Sequence, residues 1–137
     1  MIILAVDYGD ARTGLAICDK NEILASPLYT ITQSYAPKLI ENICEAAAEK
    51  KVELIVVGKP YNMDGSAGFR AQKCEEFAKQ LEKASGIQTV LYDERMTTMI
   101  AAEALNVTNT RGKKRKNIID SLSAQIILQN FIDERKK

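Results

Sequence analysis

The sequence contains no histidine, and this absence removes several classes of catalytic site. Ser-His-Asp triads, Cys-His pairs and histidine-ligated zinc all require an imidazole. An enzyme built from this chain must therefore work with carboxylates, lysines, hydroxyls or a hard metal ion.

Cysteine is scarce, and its spacing suggests no shared role. Cys18, Cys44 and Cys74 are scattered and form no C-x-x-C pair. This spacing indicates reduced thiols in a cytosolic protein, not a disulfide framework or a zinc site. A catalytic cysteine is not expected either, because no histidine is present to activate it.

Long apolar runs and a strong net charge are also missing. No run approaches the roughly 18 residues that a membrane span needs, and the N-terminus lacks the features of a signal peptide. The net charge is +1, so contact with a polyanion must come from local basic patches. The 137 residues, 46% of them hydrophobic, predict one globular domain over 1–137, cytoplasmic and without a membrane partner.

Apolar periodicity predicts the element order β-β-β-α-β-α-β-α-α. The predicted strands cover 2–8, 15–18, 23–32, 52–57 and 88–92, and the predicted helices cover 36–50, 68–84, 97–105 and 118–135. Short turns join the first three strands, which indicates an antiparallel meander, with 9–14 as the first turn. Strands that follow crossover helices should run parallel to the first strand. The predicted fold class is therefore α/β, with a five-stranded mixed sheet flanked by helices, and the polar, basic segment 107–116 is predicted to be mobile.

Acidic residues stand at three points where this fold would bring them together. Asp7 ends the first apolar strand, Asp93 and Glu94 directly follow the fifth, and Asp120 lies in the first turn of the last predicted helix. Open α/β sheets place their chemistry at the carboxyl ends of strands. Each acid also has a simpler explanation: a turn cap for Asp7, a solvated turn for Asp93 and Glu94, and a helix N-terminus for Asp120.

A cluster of carboxylates needs cations, because like charges repel. Hard oxygen ligands favour Mg²⁺ or Mn²⁺, and two such ions about 4 Å apart can support phosphodiester cleavage without histidine. The predicted metal ligands are Asp7, Glu94 and Asp120. Alternate side chains on an extended segment point apart, so only one of Asp93 and Glu94 is expected to reach the metals. Glu94 is favoured for its longer side chain, and both residues are kept as catalytic candidates.

Candidate phosphate contacts fall in the segments 58–66 and 111–116, with Arg12 and Arg95 beside the acids. A glycine-containing approach to a helix N-terminus can hold a phosphate, although Pro60 after Lys59 rules out a Walker A loop. The basic run could bind a nucleic-acid backbone, and its alternative is a solvated loop. The predicted nucleic-acid contacts are Arg12, Lys59, Asn62, Ser66, Arg95, Arg111, Lys113, Lys114, Arg115 and Lys116.

Four motifs occur in a fixed order along nearly the whole chain. They are Asp7-Tyr8-Gly9-x-x-Arg12-x-Gly14-x-Ala16, Val57-Gly58-x-Pro60-x-Asn62-Met63-Asp64-Gly65-Ser66, Asp93-Glu94-Arg95-x-Thr97-Thr98 and Asp120-x-x-x-Ala124-x-x-x-Leu128-Gln129. Together they resemble the bacterial YqgF (RuvX) family. Each motif alone is weak evidence, but four in order with matching spacing are specific. The chain departs from the common family pattern at Lys59 and Met96, where leucine is usual.

The resemblance implies an RNase H-like fold and a nuclease that trims the 5′ end of precursor 16S ribosomal RNA during ribosome assembly in the cytoplasm. Asp7 and Asp120 correspond to metal ligands of the family, and ribosomal particles become expected partners. The family is also described as Holliday junction resolvase-like, so a DNA endonuclease acting on branched DNA stays open as an alternative. A non-catalytic nucleic-acid-binding module is a third possibility. The sequence does not separate RNA from DNA, because that choice depends on surface shape and 2′-OH contacts.

Overall fold

The computed structural model describes residues 1–9, 11–59, 68–93 and 112–135. Within these residues, the chain forms five strands and three helices. In chain order they are β1 (Ile3–Asp7), β2 (Arg12–Cys18), β3 (Ala25–Thr32), α1 (Ala36–Glu49), β4 (Leu54–Lys59), α2 (Phe69–Ser85), β5 (Thr89–Asp93) and α3 (Gly112–Arg135). No helix in the described part of the chain is both long and apolar enough to cross a membrane.

The strands form one mixed sheet in the order β3-β2-β1-β4-β5. β1 pairs antiparallel with β2 and parallel with β4, and β4 pairs parallel with β5. The predicted sheet is therefore confirmed. Because β1, β4 and β5 are parallel, they end together at Asp7, Lys59 and Asp93, which we call the carboxyl edge. The opposite, amino edge contains the start of β1, the end of β2 at Cys18 and the start of β3 at Ala25.

Two apolar cores cover the two faces of the sheet, because successive side chains of a strand point to opposite faces. The α2-side core joins strand residues to α1 and α2, and includes Leu4, Val6, Leu15, Ile55, Val57, Leu39, Ile43, Phe77 and Leu81. The α3-side core joins the other strand residues to α3, and includes Ile3, Ala5, Ala16, Val56, Ala124, Ile127, Leu128 and Ile132. β1 is buried on both faces, which explains its continuous apolar run.

α3 is attached to the amino edge by side chains from its second half. The Gln129 side chain accepts a hydrogen bond from the Ala25 N–H at 2.9 Å and donates to the Ile23 carbonyl at 3.1 Å. Nε of Arg135 donates to Glu22 at 2.9 Å, and the amino group of Met1 lies 3.0 Å from the other oxygen of that carboxylate. These contacts fix the position of the helix against the sheet.

The predicted boundaries are wrong at two places that matter for the site. β2 begins at Arg12, within the predicted turn 9–14, because Gly14 pairs with Asp7 on one side and with Thr30 on the other. α3 begins at Gly112, so the prediction of a mobile segment is wrong for 112–116. Lysine and arginine are good helix formers, which lets the basic run continue the helix. The predicted helix 97–105 lies outside the described residues.

Candidate active site

Asp7 ends β1 at the carboxyl edge and is half-buried. Ile3 and Ala5, at alternate positions before it, belong to the α3-side core, so Asp7 occupies a register position on the sheet face that α3 covers. β1 is central in the sheet and pairs with β2 and β4. The backbone that carries this carboxylate is therefore held on both sides.

A tight turn after Asp7 returns the chain to β2. A Cβ added at Gly9 would collide with the main-chain carbonyl oxygen of Arg12, so the close approach depends on glycine. The Gly9 N–H donates to Oγ1 of the fully buried Thr13 at 3.4 Å. Because Arg12 alternates with Gly14 and Ala16, which belongs to the α3-side core, it takes a register position on the same face as Asp7. The predicted phosphate contact and the predicted metal ligand thus share one face.

The α2 side of the carboxyl edge contains contacts that the sequence analysis missed. The ring of Tyr8 stacks on Phe77 with centroids 4.0 Å apart and planes at 4°. Nη2 of Arg70 donates to the Tyr8 carbonyl at 3.0 Å, and Nζ of Lys73 lies 6.0 Å from the Tyr8 ring centroid. One feature of the sequence points to this contact. The first turn of α2 contains Arg70 and no acidic residue, although the helix dipole favours acidic residues at that position.

β5 supplies the ambiguous pair of acids. Asp93 is its last residue, is exposed, and is aligned with Lys59 of β4. Val90 and Tyr92 pack against the α3-side core, so alternation places Asp93 on the opposite face from Asp7. The same alternation would return residue 94 to the face of Asp7. Glu94 lies outside the described residues, and its role as a metal ligand stays a prediction.

Asp120 belongs to α3, and its backbone lies toward the carboxyl edge. The helical rise between Asp120 and Arg135, at the amino edge, is about 22 Å. The extended chain from Met1, at the amino edge, to Asp7 also spans about 20 Å, so the backbone of Asp120 lies near the level of the carboxyl edge. Ala124 and Ile127 of α3 are fully buried in the α3-side core, and Phe131 packs against it. The face of α3 that carries these three residues therefore packs on the sheet.

The position of Asp120 along the helix corrects one prediction. Asp120 lies in the third turn of α3, not in the first, because the helix begins at Gly112. The favourable effect of a helix dipole on an acid is confined to the first turn. Stabilisation of a helix N-terminus therefore does not explain this aspartate.

The remaining predicted contacts divide into two groups. The backbone of Lys59 ends β4 at the carboxyl edge, and the backbones of Lys113, Lys114, Arg115 and Lys116 lie in the first turns of α3. Asn62, Ser66, Arg95 and Arg111 lie outside the described residues, as Glu94 does. Within the described part of the chain, no three His, Cys, Asp or Glu side chains group closely enough to hold a metal ion. That finding does not cover the side chains of Glu94 and Asp120.

Comparison with solved structures defines the class of fold. RuvC of T. thermophilus in complex with a Holliday junction substrate superposes with a TM-score of 0.62 at 13% identity, covering 99% of this chain and 96% of that chain. The fowlpox virus Holliday junction resolvase superposes with a TM-score of 0.62 at 12% identity, covering 98% and 99%. The chain has the RNase H-like fold of these resolvases.

Sequence comparison identifies the family. The sequence profile described as "RuvX: Holliday junction resolvase" matches residues 1–134. A Lachnospira eligens protein named "Putative pre-16S rRNA nuclease" is 40% identical over 140 residues, and the alignment covers 100% of this chain and 100% of that protein. A Thermoanaerobacter pseudethanolicus protein of the same name is 39% identical over 137 residues, covering 99% of both chains. The chain belongs to the RuvX family, which confirms the resemblance inferred from its four motifs.

Proposed function

We propose that this protein is a nuclease that processes the 5′ end of precursor 16S ribosomal RNA during ribosome biogenesis. The observation that carries the proposal is the full-length similarity, at 40% identity, to a relative named "Putative pre-16S rRNA nuclease". The position of Asp7 at the carboxyl edge adds support, since ligand sites of open α/β sheets lie there. Precursor rRNA as the substrate would place the protein in the cytoplasm, in contact with ribosomal particles.

The acids proposed to hold a divalent cation are Asp7, Glu94 and Asp120, with Asp93 retained as a second candidate from β5. The donor set fits Mg²⁺ or Mn²⁺, because it consists of carboxylate oxygens only, and hard cations prefer oxygen. Bound divalent ions would activate water and stabilise the leaving oxygen of the phosphodiester. Asp7 contributes a carboxylate on a rigid central strand, and α3 carries Asp120 toward the same edge.

The proposed substrate contacts surround these acids. Arg12 shares the sheet face of Asp7, while Lys59 and the basic first turns of α3 supply further cationic residues at or near the carboxyl edge. Lysine and arginine bind nucleic-acid phosphates with release of counterions, which makes affinity dependent on salt. We expect these residues to orient the backbone of the substrate across Asp7.

The direct test is cleavage of an RNA that spans the 5′ end of precursor 16S rRNA. The purified protein should cleave it with Mg²⁺ or Mn²⁺, poorly with Ca²⁺, whose looser coordination suits the reaction badly, and not with EDTA. Asp7→Asn protein, purified in parallel, controls for contaminating nuclease. Equal cleavage by that variant, or undiminished cleavage in EDTA, would contradict the proposal.

Cleavage of Holliday junctions is the second candidate function, favoured by the description of the matching family and by the fold shared with RuvC. The identity to those resolvases is only 12–13%, whereas relatives named for pre-16S rRNA share 34–40%. A four-way DNA junction assayed beside the RNA separates the two functions. Cleavage of the junction alone would replace the first proposal with the second.

A further inference from the structure

Two polar side chains are buried in the described part of the chain, and they differ in their hydrogen bonding. Thr13 is fully buried, and its Oγ1 accepts a hydrogen bond from the Gly9 N–H. Ser123 of α3 is 2% exposed, and its hydroxyl makes no hydrogen bond to any of the described residues. A buried polar group without a partner costs free energy, so the presence of this hydroxyl calls for an explanation.

Ser123 lies toward the carboxyl edge. The helical rise from Ser123 to Arg135, at the amino edge, is about 18 Å. This distance approaches the roughly 20 Å that the extended chain of β1 spans between the two edges. Gln125, half a turn later, donates to the Ala25 carbonyl at 3.1 Å at the amino edge, so Ser123 lies on the carboxyl side of that attachment. The backbone of Asp120 precedes Ser123 by about one turn.

The sheet face that α3 covers presents one side-chain acceptor near this level. Ala5 and Ala16, which are fully buried in the α3-side core, have no polar side-chain atom. Asp7 and Arg12 occupy register positions on the same face, closer to the carboxyl edge. A guanidinium has no acceptor, so of these four residues only Asp7 can accept a hydrogen bond from a serine through its side chain.

We propose that Ser123 is a positioning residue of the metal site, and that its hydroxyl donates a hydrogen bond to the Asp7 carboxylate when a divalent cation binds. This inference rests on the proposed nuclease function and assigns a support to one of its metal ligands. A carboxylate has about four lone-pair sites, so Asp7 can bind a cation and accept this bond together with other contacts. Hydrogen bonds to ligating carboxylates fix their orientation, and losing one typically lowers metal affinity about 10–100-fold.

The proposal predicts different effects of the hydroxyl with and without the cation. Without it, Ser123→Ala removes a buried polar group that has no partner, so the melting temperature should be unchanged or higher. With it, the same change removes a hydrogen bond to a metal ligand, so cation binding should weaken about 10-fold or more. A serine that only packs in the core, or that bonds to a carbonyl of its own helix, would affect stability equally in both conditions.

The test measures Mn²⁺ binding by the whole protein without nucleic acid. Electron paramagnetic resonance gives the free Mn²⁺ in titrations of wild type, Ser123→Ala and Ser85→Ala, and thermal melting is recorded in EDTA and in Mn²⁺. Ser85 is the matched control, because its Oγ accepts a hydrogen bond from the Ile87 N–H at 3.1 Å, before the start of β5 and away from its carboxyl end. Ser85→Ala should melt at a lower temperature in both conditions and bind Mn²⁺ as the wild type does.

Two further variants separate the hydroxyl from its volume. Ser123→Cys keeps nearly the size of serine but has only a weak donor, so it should bind Mn²⁺ as poorly as Ser123→Ala. Ser123→Thr keeps the hydroxyl and should bind Mn²⁺ more tightly than either. A Ser123→Ala protein that does not fold in EDTA would show that the serine supports the fold itself, which would overturn the inference.

The outcomes also distinguish this inference from the proposed function. Equal Mn²⁺ affinities of the wild type and Ser123→Ala would overturn the positioning role, and cleavage of precursor RNA by the wild type would leave the nuclease standing. Weaker Mn²⁺ binding by Ser123→Ala, beside a wild type that cleaves neither the RNA nor a four-way junction, would support the positioning role and remove the nuclease. A wild type that binds no Mn²⁺ would remove both the positioning role and the metal site.

Discussion

The two edges of the sheet use charged groups in different ways. At the amino edge, Glu22 is bound to Arg135 and to the amino group of Met1, so the charges join the ends of the chain to each other. At the carboxyl edge, acids stand at the ends of β1 and β5, with cationic side chains of α2 beside them. We therefore propose that one edge stabilises the fold and the other carries the chemistry. Substitutions at the amino edge should therefore change the free energy of unfolding, and those at the carboxyl edge should change activity.

α3 connects the two edges. Its second half is bound to the amino edge through Gln129 and Arg135, and its first half carries Asp120 toward the carboxyl edge. Between these parts of the helix, Ala124, Ile127 and Leu128 are buried against the sheet. Arg135, which contacts the amino edge, lies about 22 Å along the helix from Asp120.

Asp7→Asn should have the largest effect on activity, and it should distinguish most clearly between the roles of the two edges. Cleavage of precursor RNA should fall more than about 100-fold, since changes that only support a metal ligand already cost 10–100-fold. Stability should be unchanged or higher in metal-free buffer, because one charge leaves a cluster of like charges. Cleavage rates and thermal melting measure the two quantities.

The matched control is Asp19→Asn at the amino edge, where the carboxylate accepts a hydrogen bond from the Ile23 N–H at 3.1 Å. That variant should keep full activity. A folded Asp7→Asn protein with wild-type cleavage would remove the proposed site from the carboxyl edge.

The next effect concerns the two acids at the end of β5. Glu94→Gln should abolish cleavage at saturating RNA, whereas Asp93→Asn should cost less and act mainly through stability. The reason is the alternation of β5, which places Asp93 on the face opposite to Asp7. The same alternation, if continued, would return position 94 to the face of Asp7. Parallel kcat measurements and melting curves give the order. A stable but inactive Asp93→Asn protein beside an active Glu94→Gln protein would reverse the assignment.

The sequence predicted the sheet well because its signals are local. The apolar runs of β1 and β4, the close spacing of the first three strands and the crossover helices predict which strands are antiparallel and which are parallel. Prediction from local sequence is wrong at Gly14. Glycine is typical of turns, but Gly14 lies in β2, where it pairs with Asp7. The prediction is wrong again at Gly112, where a basic run was interpreted as a loop although its residues favour helices.

The contacts that the sequence analysis missed have a different cause. Arg70 and Tyr8, and likewise Gln129 and Ala25, lie far apart in the chain and meet only through the packing of helices on the sheet. No periodicity in a single sequence encodes such pairs. The position of Asp7 at the end of β1, by contrast, could be predicted, because the apolar run that precedes it is a local signal. Its role as a metal ligand stays a prediction.

Gln129→Ala should show that the amino edge holds α3 in place. The variant removes an acceptor for the Ala25 N–H and a donor to the Ile23 carbonyl, which should lower the free energy of unfolding by about 1–3 kcal/mol. Asn130→Ala, on the same helix, is the control and should cost less. Urea unfolding measures both variants. The kcat of the folded Gln129 variant should stay within about threefold of wild type, and a larger loss would mean that the amino edge also tunes the position of Asp120.

The smallest expected effect tests the charge of the amino edge directly. The hydrogen bond from Arg135, followed by that from the amino group of Met1, holds the pKa of Glu22 below its ordinary value of 4.5. Glu22 also adopts a left-handed backbone conformation, with φ of 54°, that disfavours side chains other than glycine, asparagine and aspartate. Glu22→Gln keeps the backbone and the side-chain length and removes only the charge, so it should cost about 1 kcal/mol at neutral pH.

The pH dependence of that cost identifies its origin. A carboxylate with a lowered folded pKa stabilises the protein above the unfolded pKa, and the contribution is lost as the pH falls through the folded value. Urea unfolding of wild-type and Glu22→Gln proteins should therefore differ at pH 7 and converge once the pH has fallen below the lowered folded pKa of Glu22. Added salt should narrow the difference, because the pair is partly exposed to solvent. A difference that persists unchanged into acid would come from side-chain shape, and the ion pair at the amino edge would then contribute no stability through its charge.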